Sequence, residues 1–98
     1  MIGFEWDDEK NAANKRKHGI SFEVAVKVFD DGNRTEFVER IEAGEERWHA
    51  IGVVEMRVFM VLTVVHTYRE EGAKPVIRLI SARRATRHER RLYAEAIL

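Results

Sequence analysis

Two kinds of periodicity divide the 98 residues and predict an α+β fold. The expected order is α-α-β-β-β-β-α, with two N-terminal helices, a four-stranded antiparallel sheet and a C-terminal helix. Three observations carry that expectation. Residues 7–29 hold two capped stretches whose apolar residues fall at helical spacing. Residues 35–81 hold short runs of branched and aromatic residues, joined by connections too short for parallel crossovers. Thr86-Arg87-His88-Glu89 has the T-x-x-E spacing of a capping box, so a last helix runs from about Thr86 to the C-terminus.

Gly3-Phe4-Glu5-Trp6 reads as a short aromatic opening. Asp7 is an N-cap for a helix from about Asp8 to Lys17, with Asp8 and Glu9 in the first turn and Lys15, Arg16 and Lys17 in the last, the favourable order for the helix dipole. Gly19 suits the position just past its end. Ser21 caps a second helix, Phe22 to about Phe29, with Phe22, Ala25, Val26 and Phe29 on one face. Asp30-Asp31-Gly32-Asn33 is a turn. Thr35 to Arg40 is an edge strand, and Glu42 to Glu45 turns the chain. Arg47 to Val54 is the next strand, followed by a connection at Glu55-Met56. Arg57 to Thr67, the most apolar stretch, is the central strand. Tyr68 to Gly72 gives it a polar end. Val76 to Ser81 is the last strand.

One modest core and one domain, residues 1–98, suit this length and an apolar content of 45%. There is no cysteine, which removes disulfides and thiolate metal sites and fits a reducing cytoplasm. No signal pattern opens the chain, and the apolar run Val58–Val65 is too short to span a membrane. The formal charge of zero conceals an asymmetry. Residues 1–50 carry eight Lys/Arg against twelve Asp/Glu, and residues 51–98 carry nine against five. The acidic half argues against a general nucleic-acid coat; the basic half permits one local anion site.

Six arginines lie between Arg78 and Arg91, around a strand end, a turn and a helix N-terminus. Arginine's planar fork binds two phosphate oxygens and stays charged. Arg83 and Arg84, read as lying between the last strand and the helix, are expected to converge on one phosphate. Arg69 and Arg78 face one groove if their strands pair, or else pair with Glu70 or Glu71. Among the four histidines, His66 ends the central strand near Arg69 and is the best placed for proton transfer. His18 reads either as a helix-end cap or as a site residue, His49 as an exposed strand residue, and His88 as solvent-facing. Ser81 reads as a structural hydrogen bonder. Tyr93 belongs to a stripe with Leu92, Ala96 and Ile97 that suits core packing. Trp6 and Trp48 are read as core residues. The carboxylate clusters Asp7-Asp8-Glu9 and Asp30-Asp31 have capping and turn explanations, so no metal site and no cofactor are expected.

Several ordered blocks together resemble a family. Phe4-Glu5-Trp6-Asp7, Asn14-x-x-Lys17-His18-Gly19-Ile20-Ser21-Phe22 and Val28-Phe29-Asp30-Asp31 are similar to the N-terminal half of BrnT-type toxins. Glu46-Arg47-Trp48 with Ile51-Gly52 resembles their middle. Ile80-Ser81-Ala82-Arg83-Arg84-Ala85-Thr86-x-x-Glu89-Arg90 with Tyr93 resembles their C-terminal signature. The chain departs from that pattern at Val54–Arg57, where a glycine is common, in a longer loop at Glu71–Pro75, and in His66, often Tyr in relatives. The resemblance implies a RelE-like fold and a bacterial type II toxin that cleaves RNA without a metal. It implies a BrnA-type antitoxin as partner, with operator DNA bound only through that antitoxin and a possible toxin dimer within the complex. In that setting Arg83, Arg69, His66 and Arg78 are the expected catalytic residues, and Arg84, Lys17, His18 and Arg57 the expected RNA-binding ones. The competing reading is a non-catalytic module that binds nucleic acid or protein through the arginine-rich end.

Overall fold

The computed structural model describes residues 2–97. The chain forms β1 (Gly3–Glu5), α1 (Asp8–His18), α2 (Phe22–Ala25) with a 3-10 continuation (Val26–Asp30), β2 (Thr35–Glu42), β3 (Glu45–Glu55), β4 (Phe59–Glu71), β5 (Lys74–Arg84) and α3 (Arg87–Ile97). The strand order is β1-β5-β4-β3-β2. Strands β2 to β5 make an antiparallel meander, while β1 pairs parallel to β5 with Phe4 opposite Ile77. The architecture is therefore α+β with a mixed five-stranded sheet, which corrects the expected four antiparallel strands. Three residues of β1 offer no alternation to read; only the free edge of β5 makes them a strand.

Local signals set most boundaries. The Asp7 carboxylate accepts from the amides of Glu9 and Lys10 at 2.9 and 3.1 Å, and Gly19 closes α1 at φ +73°, where a Cβ would be strained. Ser21 Oγ accepts from the Val24 amide. The second helix then departs from expectation. It tightens into 3-10 geometry after Ala25. At three residues per turn, Phe22, Ala25 and Val28 line up, and these three are fully buried while Val26 and Phe29 are only partly so. The β2–β3 hairpin turns at Ala43 (φ +52°) and Gly44 (φ +77°), the backbone of a type I′ turn. The β4–β5 hairpin turns tightly at Gly72-Ala73, so the stretch expected to be a long loop is mostly strand.

One sheet face carries the principal core. Phe22, Ala25 and Val28 pack with Ala50, Val54, Leu62, Val64, Ile77, Leu79 and Ala82. The 3-10 segment comes so close that a Cβ on Gly52 would meet Val28 Cγ1 at 2.9 Å and the Val28 carbonyl at 3.2 Å. Beyond the reach of β1, helix α1 takes over the edge of β5. Asn14, 7% exposed, donates to the Ala82 carbonyl at 2.8 Å and accepts from the Ala82 amide at 3.1 Å, as a neighbouring strand would. It also donates to the Ile20 carbonyl. The amide satisfies buried backbone groups that would otherwise cost free energy.

The other sheet face is only partly covered, by α3. Thr86 and Glu89 form the reciprocal capping box, with Thr86 N to Glu89 Oε1 at 2.8 Å and Glu89 N to Thr86 Oγ1 at 3.2 Å. Asp31 ties this helix to the sheet, accepting from the Val53 amide and from the Tyr93 hydroxyl. Tyr93 is thus a half-buried anchor, and Ala96 and Ile97 are exposed, so the expected stripe is not core. Among the described residues, no helix is long and apolar enough to cross a membrane.

Candidate ribonuclease face

Strand alternation and one irregularity assemble the basic residues. In a regular strand Arg78 and Arg83, five residues apart, would point to opposite faces. The β4–β5 register shifts between Val65 and His66, pairing Ser81 with Val65 but Leu79 with His66. This bulge absorbs Ile80 and returns Arg78, opposite Thr67, and Arg83, opposite Thr63, to one face. Arg69 shares that face. Both Arg69 and Arg78 bind the Glu5 carboxylate, Arg78 Nη1 at 3.4 Å. Their side chains stay 48% and 41% exposed, so the pairing fixes them without removing them from solvent.

Arg83 is held more rigidly. Its Nη1 and Nη2 donate to Glu89 Oε1 and Oε2 at 2.6 and 2.9 Å, a bidentate pair. The guanidinium side chain is 30% exposed and the Glu89 side chain 9%. Burial alone would raise the Glu89 carboxyl. The Arg83 fork and the Thr86 amide outweigh it and pull the carboxyl down to about 2. The same carboxylate holds the Arg83 charge up.

His49 lies on this face opposite Val65, with its Nδ1 3.9 Å from Glu89 Oε2 and its ring against Phe37, centroids 5.4 Å apart. Its side chain is largely buried. Loss of solvation lowers its pKa, against the pull of Glu39 and Glu89, so it is neutral near pH 7 and able to accept a proton. His49, expected to be an exposed strand residue, is instead largely buried. The signal present was its parity with Arg47 on one strand, but its approach to Glu89 depends on where α3 docks. Thr63 and Thr67, 0% and 1% exposed, are buried on this face; Thr63 hydrogen-bonds to Glu89 and helps hold its carboxyl down, and Arg47 Nε lies 3.4 Å from Glu42.

The remaining expected site residues fall elsewhere. Arg84 lies in β5 rather than in a turn, so it alternates to the core face, opposite Leu62. Arg83 and Arg84 therefore do not converge on one phosphate. Arg57 lies in the β3–β4 connection, not in a strand, and lines a cleft with Arg84 and Lys27. His66 is fully buried on the core face. Its ring packs edge-on against Phe29 at 5.0 Å, Nδ1 faces the Val64 carbonyl at 3.2 Å and Nε2 faces Glu36 at 3.3 Å. Burial lowers its pKa. The sheet itself separates it from Arg69, which corrects its expected place beside that residue. Lys17 and His18 end α1 and line a shallow cleft with Lys10, Ile80 and Ser81, beside the bulge.

Among the described residues no three His, Cys, Asp or Glu side chains converge to hold a metal. What the open face offers is a neutral imidazole, a locked guanidinium and two further arginines. That set suits an anionic substrate and proton transfer. No curated protein matches the chain. Residues 6–89 match the family model described as the ribonuclease toxin BrnT of type II toxin–antitoxin systems. That span takes in Glu89, Arg83, Arg78, Arg69 and His49, and the chain belongs to the BrnT family of ribonuclease toxins.

Proposed function

We propose that this toxin is a metal-independent endoribonuclease whose site is the open sheet face around Arg83 and His49. Cleavage takes place by attack of an RNA 2′-oxygen on the adjacent phosphorus. The P–O bond to the 5′-oxygen breaks, the departing oxygen takes a proton from solvent water, and a 2′,3′-cyclic phosphate and a 5′-hydroxyl remain. His49 takes the 2′ proton in its neutral form. The Arg83 guanidinium stabilises the charge gathering on the non-bridging oxygens, and its bond to Glu89 fixes its direction before substrate arrives. Arg78 and Arg69 hold neighbouring phosphates, with Glu5 limiting their freedom. Lys17 and His18 extend the binding surface past the edge of β5. His66 has no part in the reaction, being sealed beneath Phe29.

The observation that carries this reading is the bidentate Arg83–Glu89 pair beside a desolvated His49 on the face that α3 only partly covers. Arginine supplies the charge that a metal ion would otherwise bring, without any ligand set of its own. The partner is a cognate antitoxin of the BrnA type, and operator DNA is reached only through it. The place of action is the cytoplasm.

The test is incubation of the purified chain with a long RNA in excess EDTA, beside Arg83→Ala and Arg83→Lys. Cleavage by the wild type, lost in both variants while each still unfolds cooperatively, is the expected result. Equal cleavage by all three moves the site away from Arg83. Intact RNA in every lane, with or without ribosomes, overturns the enzymatic reading in favour of a binding module.

A further inference from the structure

The cleft at the far end of the core face plays no part in the reaction proposed above. Its floor is aliphatic: Ile20 after α1, Val24 on α2 and Met60 on β4. Met56 and Val58, at the tip of the β3–β4 hairpin, are 46% and 63% exposed at its rim. The cleft measures about 700 Å³. The rim therefore leaves apolar side chains in contact with solvent beside the cleft.

Charge specifies the occupant. Lys27, Arg57 and Arg84 come from three separate elements and surround the floor, against a single carboxylate, Glu55. None of the three cations reaches a carboxylate within 4.0 Å among the described residues. On the opposite face Arg69, Arg78 and Arg83 are each paired with Glu5 or Glu89. The cleft thus carries uncompensated positive charge over an apolar base. A single-stranded RNA would need aromatic faces to stack its bases, and the lining contains none. An amphipathic protein segment meets both conditions, with branched side chains in the floor and carboxylates toward the three cations.

We propose that this cleft is the docking site for an acidic amphipathic segment of the antitoxin. The proposal rests on the family membership for the existence of that partner, and it places the contact on the sheet face away from Arg83. Binding there leaves the arginines of the open face free of direct contact with this segment.

The experiment uses the full chain and its co-expressed antitoxin, purified separately and titrated against each other at fixed salt. Lys27→Glu with Val58→Glu changes two exposed side chains at the rim. Antitoxin affinity is expected to fall about tenfold or more, while RNA cleavage in EDTA stays at the wild-type rate. Arg57→Glu with Arg84→Glu is expected to weaken the antitoxin at least as much. Amide exchange of the wild-type complex should show new protection at residues 19–27 and 55–60. Unchanged antitoxin affinity in both double variants overturns the proposal, as does protection confined to the open face. Loss of RNA binding with antitoxin affinity intact also overturns it and makes the cleft an RNA surface. If the wild type binds the antitoxin but cleaves no RNA, the proposed nuclease activity fails, and the affinities of the variants still decide the docking site.

Discussion

The two faces of the sheet use similar strands for opposite purposes. On the core face, alternate residues of β3 to β5 are Ala50, Val54, Leu62, Val64, Leu79 and Ala82, and the 3-10 segment presses onto them. On the open face the same strands present His49, Thr63, Thr67, Arg69, Arg78 and Arg83. The first face is closed by dispersion and burial, and His66 is enclosed with it. The second is held by carboxylates: Glu5 fixes two arginines and Glu89 a third. The difference shows how a domain of 98 residues keeps both a core and a charged surface. Apolar burial is concentrated on one side, while the other carries arginines that carboxylates hold at its surface.

That division is open to attack from both sides. The largest effect is expected from Arg83→Ala, which should lower RNA cleavage about 10²–10³-fold, as loss of a transition-state donor does, with a much smaller change in thermal midpoint. A comparable loss of fold would show that Arg83 belongs to the scaffold. Next comes Gly52→Ala on the core face. Its Cβ meets backbone as well as side chain of Val28, so denaturant unfolding should show a cost of about 1–3 kcal/mol and unchanged catalysis after correction for the folded fraction.

Glu89 joins α3 to the open face, because it caps the helix and locks Arg83. Its carboxyl sits below the ordinary 4.5, at about 2. The unfolded chain therefore binds this proton first, and the stabilisation is complete above pH 4.5 and is lost as the pH falls toward 2. Glu89→Gln should remove that part of the acid dependence and cost about 1–3 kcal/mol at neutral pH through the weakened charged hydrogen bonds. An unchanged acid limb in urea titrations would assign the dependence to other carboxyls.

His66 tests the separation more gently. Its folded pKa lies below 6.5, so the unfolded state takes up the proton first and stability falls as the pH drops below 6.5. His66→Gln should flatten that limb and keep cleavage in EDTA. A loss of cleavage like that of Arg83→Ala would put chemistry on the core face and break the comparison. The smallest effect is expected from Arg69→Ala. Its pair with Glu5 is solvent-exposed, so the thermal midpoint should not move, whereas RNA affinity should weaken modestly and with a shallower salt dependence.

Short-range signals determined much of the architecture. Asp7, Gly19, Ser21 and the Thr86–Glu89 box mark helix ends by bonds reaching two to four residues, and such bonds depend on little else. The apolar run in β4 announced the central strand for the same reason: its burial on both faces is written in composition. The blocks shared with BrnT toxins likewise carried the family reading from sequence alone. Tertiary structure decided whatever depended on register or on distant partners. Strand β1 exists because β5 offers it an edge. Arg83 and Arg84 part company because β5 runs three residues further than its apolar core suggests, and neighbouring side chains of a strand face opposite ways. Arg78 joins Arg83 because one bulge restores parity. His49 shares the face of Arg83, and His66 lies on the opposite one, according to which face each strand position meets. A single residue of register reverses that, and only the paired neighbours across the sheet fix it.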